Sequence, residues 1–379
     1  MGKPRILCIS ALPPPYHGTS VANDILLNSK LVRSKFEINI LRLSKSKLQL
    51  GGNFSISTLL ADLKVTAQIF KSLITFKPHV IYFSIAQTTM GLWREAIWIW
   101  LATLSGSKAL GHMHGGNFRN VFDNQLDSLT RKFVQTTLPL LEGIIVLDPT
   151  LKYLFEGLIA DDHVFVLRNG IPNYYNETQI AEANKQRAQS ERLEVTYLSN
   201  LVPGKGFETF LAVANLLKEE GLEKNFLFKL AGAAPTPAIG WQVEKFVRSL
   251  NLENSVSIIG EVAGLEKDRL LMNSNVFVFT SELPEGQPLV IIEALAFGLP
   301  VIATAKGAIP SMVRDGVNGF IIPEADPAAM AERLKLLAAN ATLRLSMGAA
   351  SRKIFQEYHT EEKFIQGFAT ILEKVIGVQ

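Results

Sequence analysis

Short apolar runs alternate along this chain with longer stretches in which apolar residues return every three or four positions. The first pattern reads as buried strand, the second as helix with one apolar face. In the first half the strand-like runs fall at 6–11, 37–41, 80–83, 109–113, 143–147 and 164–167, with helical patterns near 20–33, 58–76, 91–104, 124–139 and 149–157. The rhythm restarts with runs at 195–198, 227–231, 256–259, 276–279, 301–303 and 319–322, and a last helix is predicted at about 361–376. Alternating strand and helix predicts an α/β chain with parallel sheets covered by helices. Residues 176–192 break the rhythm: they are polar, favour helix and lack an apolar stripe, which predicts a solvent-facing connecting segment. The expected organisation is an N-terminal domain at 1–175, the connection at 176–192 and a C-terminal domain at 193–359.

Length supports that division, because 379 residues exceed one ordinary core. A composition 47% apolar and 19% charged excludes extensive disorder. A net charge of +3 is too weak to imply a nucleic-acid partner. The lone Cys8 has no partner for an internal disulfide, which fits a reducing cytoplasm. The N-terminal apolar run is only six residues long before Pro13-Pro14-Pro15, so it reads as a strand and not as a signal peptide. Ile6 stands where a myristoylation signal needs Ser or Thr. The most apolar stretch, Ala96 to Leu104, is too short to span a bilayer and reads first as a buried helix. Its Trp98 and Trp100, with Lys45, Lys47 and Lys71 in the same half, keep peripheral contact at the inner membrane face open.

The run Glu285-Gly286-Gln287-Pro288-Leu289-Val290-Ile291-Ile292-Glu293 carries the strongest chemical signal. It follows a strand, passes a loop, and opens a helix with Pro288 in its first turn. Such a helix start presents N–H groups, here near Gly286 and Gln287, and a positive dipole end to an anion. Glu293 is a lone charge among Val, Ile, Leu and Ala, costly to bury unless something polar meets it. A sugar nucleotide would meet all of these groups, with diphosphate on the N–H groups, ribose on Glu293 and sugar hydroxyls near Glu285. The plainer reading makes each glutamate an ordinary dipole partner, but it leaves the apolar setting of Glu293 unexplained.

Three other loops at strand ends hold unusual residues. Gly18, after the first strand, allows close backbone approach, with Thr19 or Ser20 as helix cap; a simple turn explains it equally well. His112 and His114 share one strand face, with His114 beside Gly115-Gly116; a ligand contact, a structural pair and a metal pair are all conceivable, though no Cys, Asp or Glu accompanies them. Lys205, between Gly204 and Gly206, is suited to a phosphate. The three-glycine nicotinamide fingerprint is absent from both halves.

Taken in order, the spaced glutamates, Gly298-Leu299-Pro300-Val301-Ile302-Ala303-Thr304 and Asp315-Gly316-Val317-Asn318-Gly319 resemble the GT4 family of retaining glycosyltransferases. The resemblance is specific over roughly 194–357 and looser before that. It implies a GT-B fold, two Rossmann-like parallel-sheet domains facing a central cleft, with the helix at about 360–379 packing back on the N-terminal domain. It implies donor binding in the C-terminal domain and acceptor binding in the N-terminal one. By the same resemblance His114 contacts the transferred sugar and Glu285 positions it, both at the catalytic centre. Gly18, Lys205, Gly286 and Gln287 meet the diphosphate, Glu293 the ribose, and backbone near Val262 the base. Asn200 stands at the diphosphate where the family usually has Arg; it can donate one neutral hydrogen bond but leaves one compensating positive charge missing, which Arg168 could supply unless it is simply a surface arginine. No Asp-x-Asp sequence is present, so neither metal nor other cofactor is expected. The implied partners are a nucleoside-diphosphate sugar of UDP or GDP type and a glycan or lipid-linked saccharide. The alternatives are a nucleotide-sugar epimerase of the same fold and a non-catalytic sugar-nucleotide-binding subunit.

Overall fold

The strand-like runs of the first half become β1 (Arg5–Ser10), β2 (Glu37–Arg42), β3 (Val80–Ser84), β4 (Lys108–His112), β5 (Gly143–Val146) and β6 (Val164–Val166). Those of the second half become β7 (Leu193–Leu198), β8 (Phe226–Ala231), β9 (Val256–Gly260), β10 (Val276–Phe279), β11 (Val301–Thr304) and β12 (Gly319–Ile322). This is a computed structural model, and it describes residues 2–43 and 56–377. Its contacts divide the chain into Met1–Ile171 with Glu361–Gln379, and Pro172–Thr360. Lys45 and Lys47 lie outside the described residues.

Each unit is built on six parallel strands, in the orders β2-β1-β3-β4-β5-β6 and β12-β11-β10-β7-β8-β9. Both orders reverse direction beside the first strand of the sheet, between β1 and β3 and between β7 and β10. Helices leave opposite faces of the sheet at such a point, so the loops there part and leave a crevice at the strands' carboxyl ends. Strand order also decides burial. Central β3 buries Val80, Ile81, Tyr82 and Phe83 completely, whereas edge strand β9 leaves Ile258 and Ile259 exposed.

The helix Glu361–Ile376 belongs to the first unit. Phe364, Phe368, Leu372 and Val375 join Ile6, Tyr82 and Leu110 in one core, and Tyr82 meets Phe368 edge to face. Residues 176–192 do not form the solvent-facing connection that their polarity predicts. Helix Glu177–Ala188 buries Ile180, Ala183 and Arg187 within the second unit, where the Arg187 guanidinium donates to the carbonyls of Ser274 and Phe297. An arginine completing the inward face hides the stripe from a hydropathy reading.

The Trp-rich helix, Thr89–Leu104, is tied to its neighbours through its indoles. Trp93 donates to Thr130, Trp98 to Thr66 and Trp100 to Thr137. Trp98 is fully buried against Phe83, but Ile97, Trp100 and Leu104 are exposed, so the apolar stretch is buried on one side only and not throughout. Among the described residues no helix is long and apolar enough to cross a membrane.

Candidate functional site

In the second unit the loops after β7 and β10 meet at the reversal point. Gly206 has φ +95°, and a Cβ there would lie 2.4 Å from the Thr280 carbonyl oxygen. Only glycine fits. The Glu282 N–H donates to the Gly204 carbonyl at 2.8 Å, closing the same contact. This holds Lys205 over the second loop, where its ammonium lies 2.5 Å from Glu285 Oε1. Ser281 Oγ donates to the same oxygen at 2.7 Å. The loop after β11 braces Glu285 from the other side: a Cβ on Gly307, at φ +52°, would fall 1.8 Å from the Glu285 carbonyl oxygen. The Ala308 N–H donates to the Gly286 carbonyl. Glu285, Gly286 and Gln287 are all buried.

The helix that follows is Leu289–Ala296, with Pro288 as its N-cap and not in its first turn. Glu293 lies on this helix, and its polar partner is Lys267, from helix Gly264–Asn273, with Nζ 2.5 Å from Oε1. Burial pushes the Glu293 carboxyl above the usual carboxylate range; Lys267 offsets part of that and nearby Asp268 adds to it. The C-terminal candidates therefore form two lysine–glutamate pairs. Asn200 is half-buried in the loop after β7, and Val262 is half-buried beyond edge strand β9. The loop after β8 ties these together, since a Cβ on Gly232 would lie 1.7 Å from the Ser199 carbonyl oxygen and the Gly232 N–H donates to Gly260.

In the first unit the loop after β1 is fastened by Arg42, whose Nη2 donates to the carbonyls of Leu12, Pro13 and Pro14. His17, and not Thr19 or Ser20, caps helix Gly18–Leu27. Its Nδ1 accepts from the Ser20 N–H while Ser20 Oγ accepts from the His17 N–H. Gly18 opens this helix, with no atom within 4 Å of where a Cβ would stand. His112 ends β4 fully buried, and His114 follows with its ring centroid 4.0 Å from that of His112.

Hydrogen bonds assign the His112 tautomer. Asn23 Nδ2 donates to the Ala11 carbonyl, which leaves Asn23 Oδ1 to accept from the Tyr82 hydroxyl. The Tyr82 oxygen then accepts from His112 Nδ1 at 2.7 Å, and His112 Nε2 is left as a bare acceptor. The Nε2 atoms of His112 and His114 are both buried without a hydrogen-bond partner. Burial pulls the His114 imidazole down to about 3, with a smaller contribution from His17, and burial pulls His112 well below its ordinary value. Both rings are neutral at pH 7. Among the described residues no group of three or more His, Cys, Asp or Glu could hold a metal ion.

Arg168 does not offer a free positive charge: its Nε pairs with buried Asp148 at 3.1 Å. Sequence reasoning missed Lys267, Ser281, Tyr82 and Asn23. Lys267 lies 26 residues from Glu293, among Glu266, Asp268 and Arg269, so no spacing marks it. The signal for its existence was Glu293 itself, a charge in an apolar helix that required a partner.

Residues 178–354 match the family described as glycosyl transferases group 1. A putative colanic acid biosynthesis glycosyltransferase of Escherichia coli is 28% identical over 155 residues, covering 39% of this chain and 36% of the relative. The chain spans 36% to 55% of the length of the first curated relatives it matches. Among solved structures, sucrose-phosphate synthase from Thermosynechococcus elongatus superposes with a TM-score of 0.78 at 18% identity, over 100% of both chains. HepE of Anabaena in complex with UDP superposes with a TM-score of 0.73 at 16% identity, over 98% of this chain and 100% of that one. Identities this low show the fold.

Proposed function

From a chain of GT-B fold whose residues 178–354 match the glycosyl transferases group 1, we propose an enzyme that moves a sugar from a nucleoside-diphosphate donor to a saccharide acceptor in polysaccharide synthesis. The observation that carries this reading is the pair of lysine–glutamate contacts, Lys205–Glu285 and Glu293–Lys267, at and beside the helix start where the second sheet reverses. Helix N–H groups and a lysine suit a departing diphosphate, and a half-buried carboxylate suits a ribose diol.

In this reading Lys205 leaves Glu285 for the diphosphate, and Glu285 turns to the sugar hydroxyls. Glu293 takes the ribose, backbone near Val262 the base, and Gly286 and Gln287 the phosphate oxygens. Gly18 lets a ligand approach the first unit's backbone, and neutral His114 exchanges a hydrogen bond with a hydroxyl of the transferred sugar. The stereochemical course is retention, as in GT4 enzymes, by attack on the face the leaving group departs from. The leaving phosphate oxygen takes the acceptor's proton, so no protein nucleophile is needed. The acceptor is a glycan or lipid-linked saccharide. UDP, the ligand of the HepE complex, is the first nucleotide to test.

Asn200 favours a second reading, a binding subunit without turnover, because it removes a leaving-group cation. Thermal-shift measurement against UDP, GDP and ADP, followed by release of nucleoside diphosphate from the matching sugar donor, separates the two. Stabilisation with release supports the enzyme. Stabilisation without release, in the presence of acceptor extracts, supports the subunit, and no stabilisation by any nucleotide overturns both.

A further inference from the structure

Helix Ile56–Thr75 turns apolar side chains both inward and outward. Its inner side buries Ile69 and supplies Thr66 to Trp98. Its outer side exposes Leu60, Leu63, Phe70 and Ile74, each more than half accessible at 62%, 57%, 56% and 60%. At 100° per residue these four fall within one quarter of the helix circumference. The adjoining helix Thr89–Leu104 continues the surface with Ile97 and Leu104, the latter 79% exposed. Scattered exposed leucines are ordinary; a stripe continued on a neighbouring helix is not.

Charge identifies what covers it. The two helices hold two acids, Asp62 and Glu95, and both are paired with Arg94, which packs over Trp98. Glu95 is buried and also accepts from the Ala86 N–H. The charges left on the outer surface are Lys64 and Lys71, both exposed. At 100° per residue they border the stripe on one side, which is the pattern of a helix lying in a lipid interface with lysines reaching the headgroups. A two-fold dimer would set this positive surface against itself.

We propose that this surface docks on an anionic lipid bilayer, with the aliphatic stripe in the acyl boundary and Lys64 and Lys71 at the headgroups. The proposal rests on the surface and not on the sugar-transfer reading, so either can fail alone. The test is flotation of the full chain with vesicles of phosphatidylcholine alone and of phosphatidylcholine mixed with phosphatidylglycerol. Wild type floats with the mixed vesicles and less with the neutral ones. Leu63→Glu with Phe70→Glu lowers partitioning by about tenfold or more. Lys64→Gln and Lys71→Gln each lower it about fivefold on anionic vesicles only. Ile97→Glu with Leu104→Glu, on the second helix, reproduces the first loss should the first pair fail to fold, and a cooperative melt checks each variant. Wild type that stays unbound to anionic vesicles overturns the proposal. So does equal flotation of the folded variants, or a dimer in sizing that Phe70→Glu dissociates.

Discussion

At the carboxyl edge of the first sheet the candidate side chains are neutral and mostly buried: two imidazoles tilted against each other, a tyrosine hydroxyl and an amide, with His112 and His114 each keeping a buried nitrogen unpartnered. At the same edge of the second sheet they are charged and already paired, Lys205 with Glu285 and Lys267 with Glu293. Two six-stranded parallel sheets, each reversing beside its first strand, thus suit different ligand parts. A neutral hydrogen-bonding surface can read sugar hydroxyls without attracting anions. A balanced set of lysines and glutamates can exchange its internal partners for a diphosphate and a diol, which avoids leaving an unpaired buried charge when empty. An arginine at position 200 would tip that balance to positive, and Asn200 keeps it even.

The contrast breaks hardest at the charged edge. Lys205→Ala and Glu293→Ala are each expected to lower transfer by ~10²-fold or more, read as kcat/KM for donor turnover. Near-normal rates in both would end the assignment. Gly307→Ala should act on the same site through backbone alone, because its Cβ would collide with the Glu285 carbonyl at a left-handed φ. A loss of about 1–3 kcal/mol is expected, measured by denaturant melts, with turnover falling further than stability explains.

The neutral edge should respond less. His114→Ala is expected to cost about tenfold in turnover, the scale of one hydrogen bond. Its ring, held near 3 in the folded state, should produce no inflection in the rate profile between pH 5 and 8. Stability behaves differently. Below the unfolded value near 6.5 the unfolded chain takes up a proton that folded His114 refuses, so stability falls as pH drops from about 6.5 toward 3. His112 adds in the same direction. Melting temperature followed over that window should fall less steeply in His114→Gln than in wild type. The smallest effect is Asn200→Arg, expected to tighten nucleoside-diphosphate binding severalfold by adding a cation. Titration calorimetry would show it, and weaker binding would mean that the even charge balance is itself required.

The chain by itself determined the twelve strands, their parallel pairing in two sheets, and the glutamate-bearing helix start, because period and glycine placement are local properties. It also marked Glu293 as needing a partner, since a charge in an apolar helix is visible without coordinates. What it could not name was the partner. Lys267, the Asn23–Tyr82–His112 chain, the occupied state of Arg168 and the inward face of helix Glu177–Ala188 all join residues distant in sequence, and only sheet order brings them together. The outward stripe of helix Ile56–Thr75 is the same lesson reversed. Its leucines look like core in the sequence, and only packing reveals which of them the core does not cover.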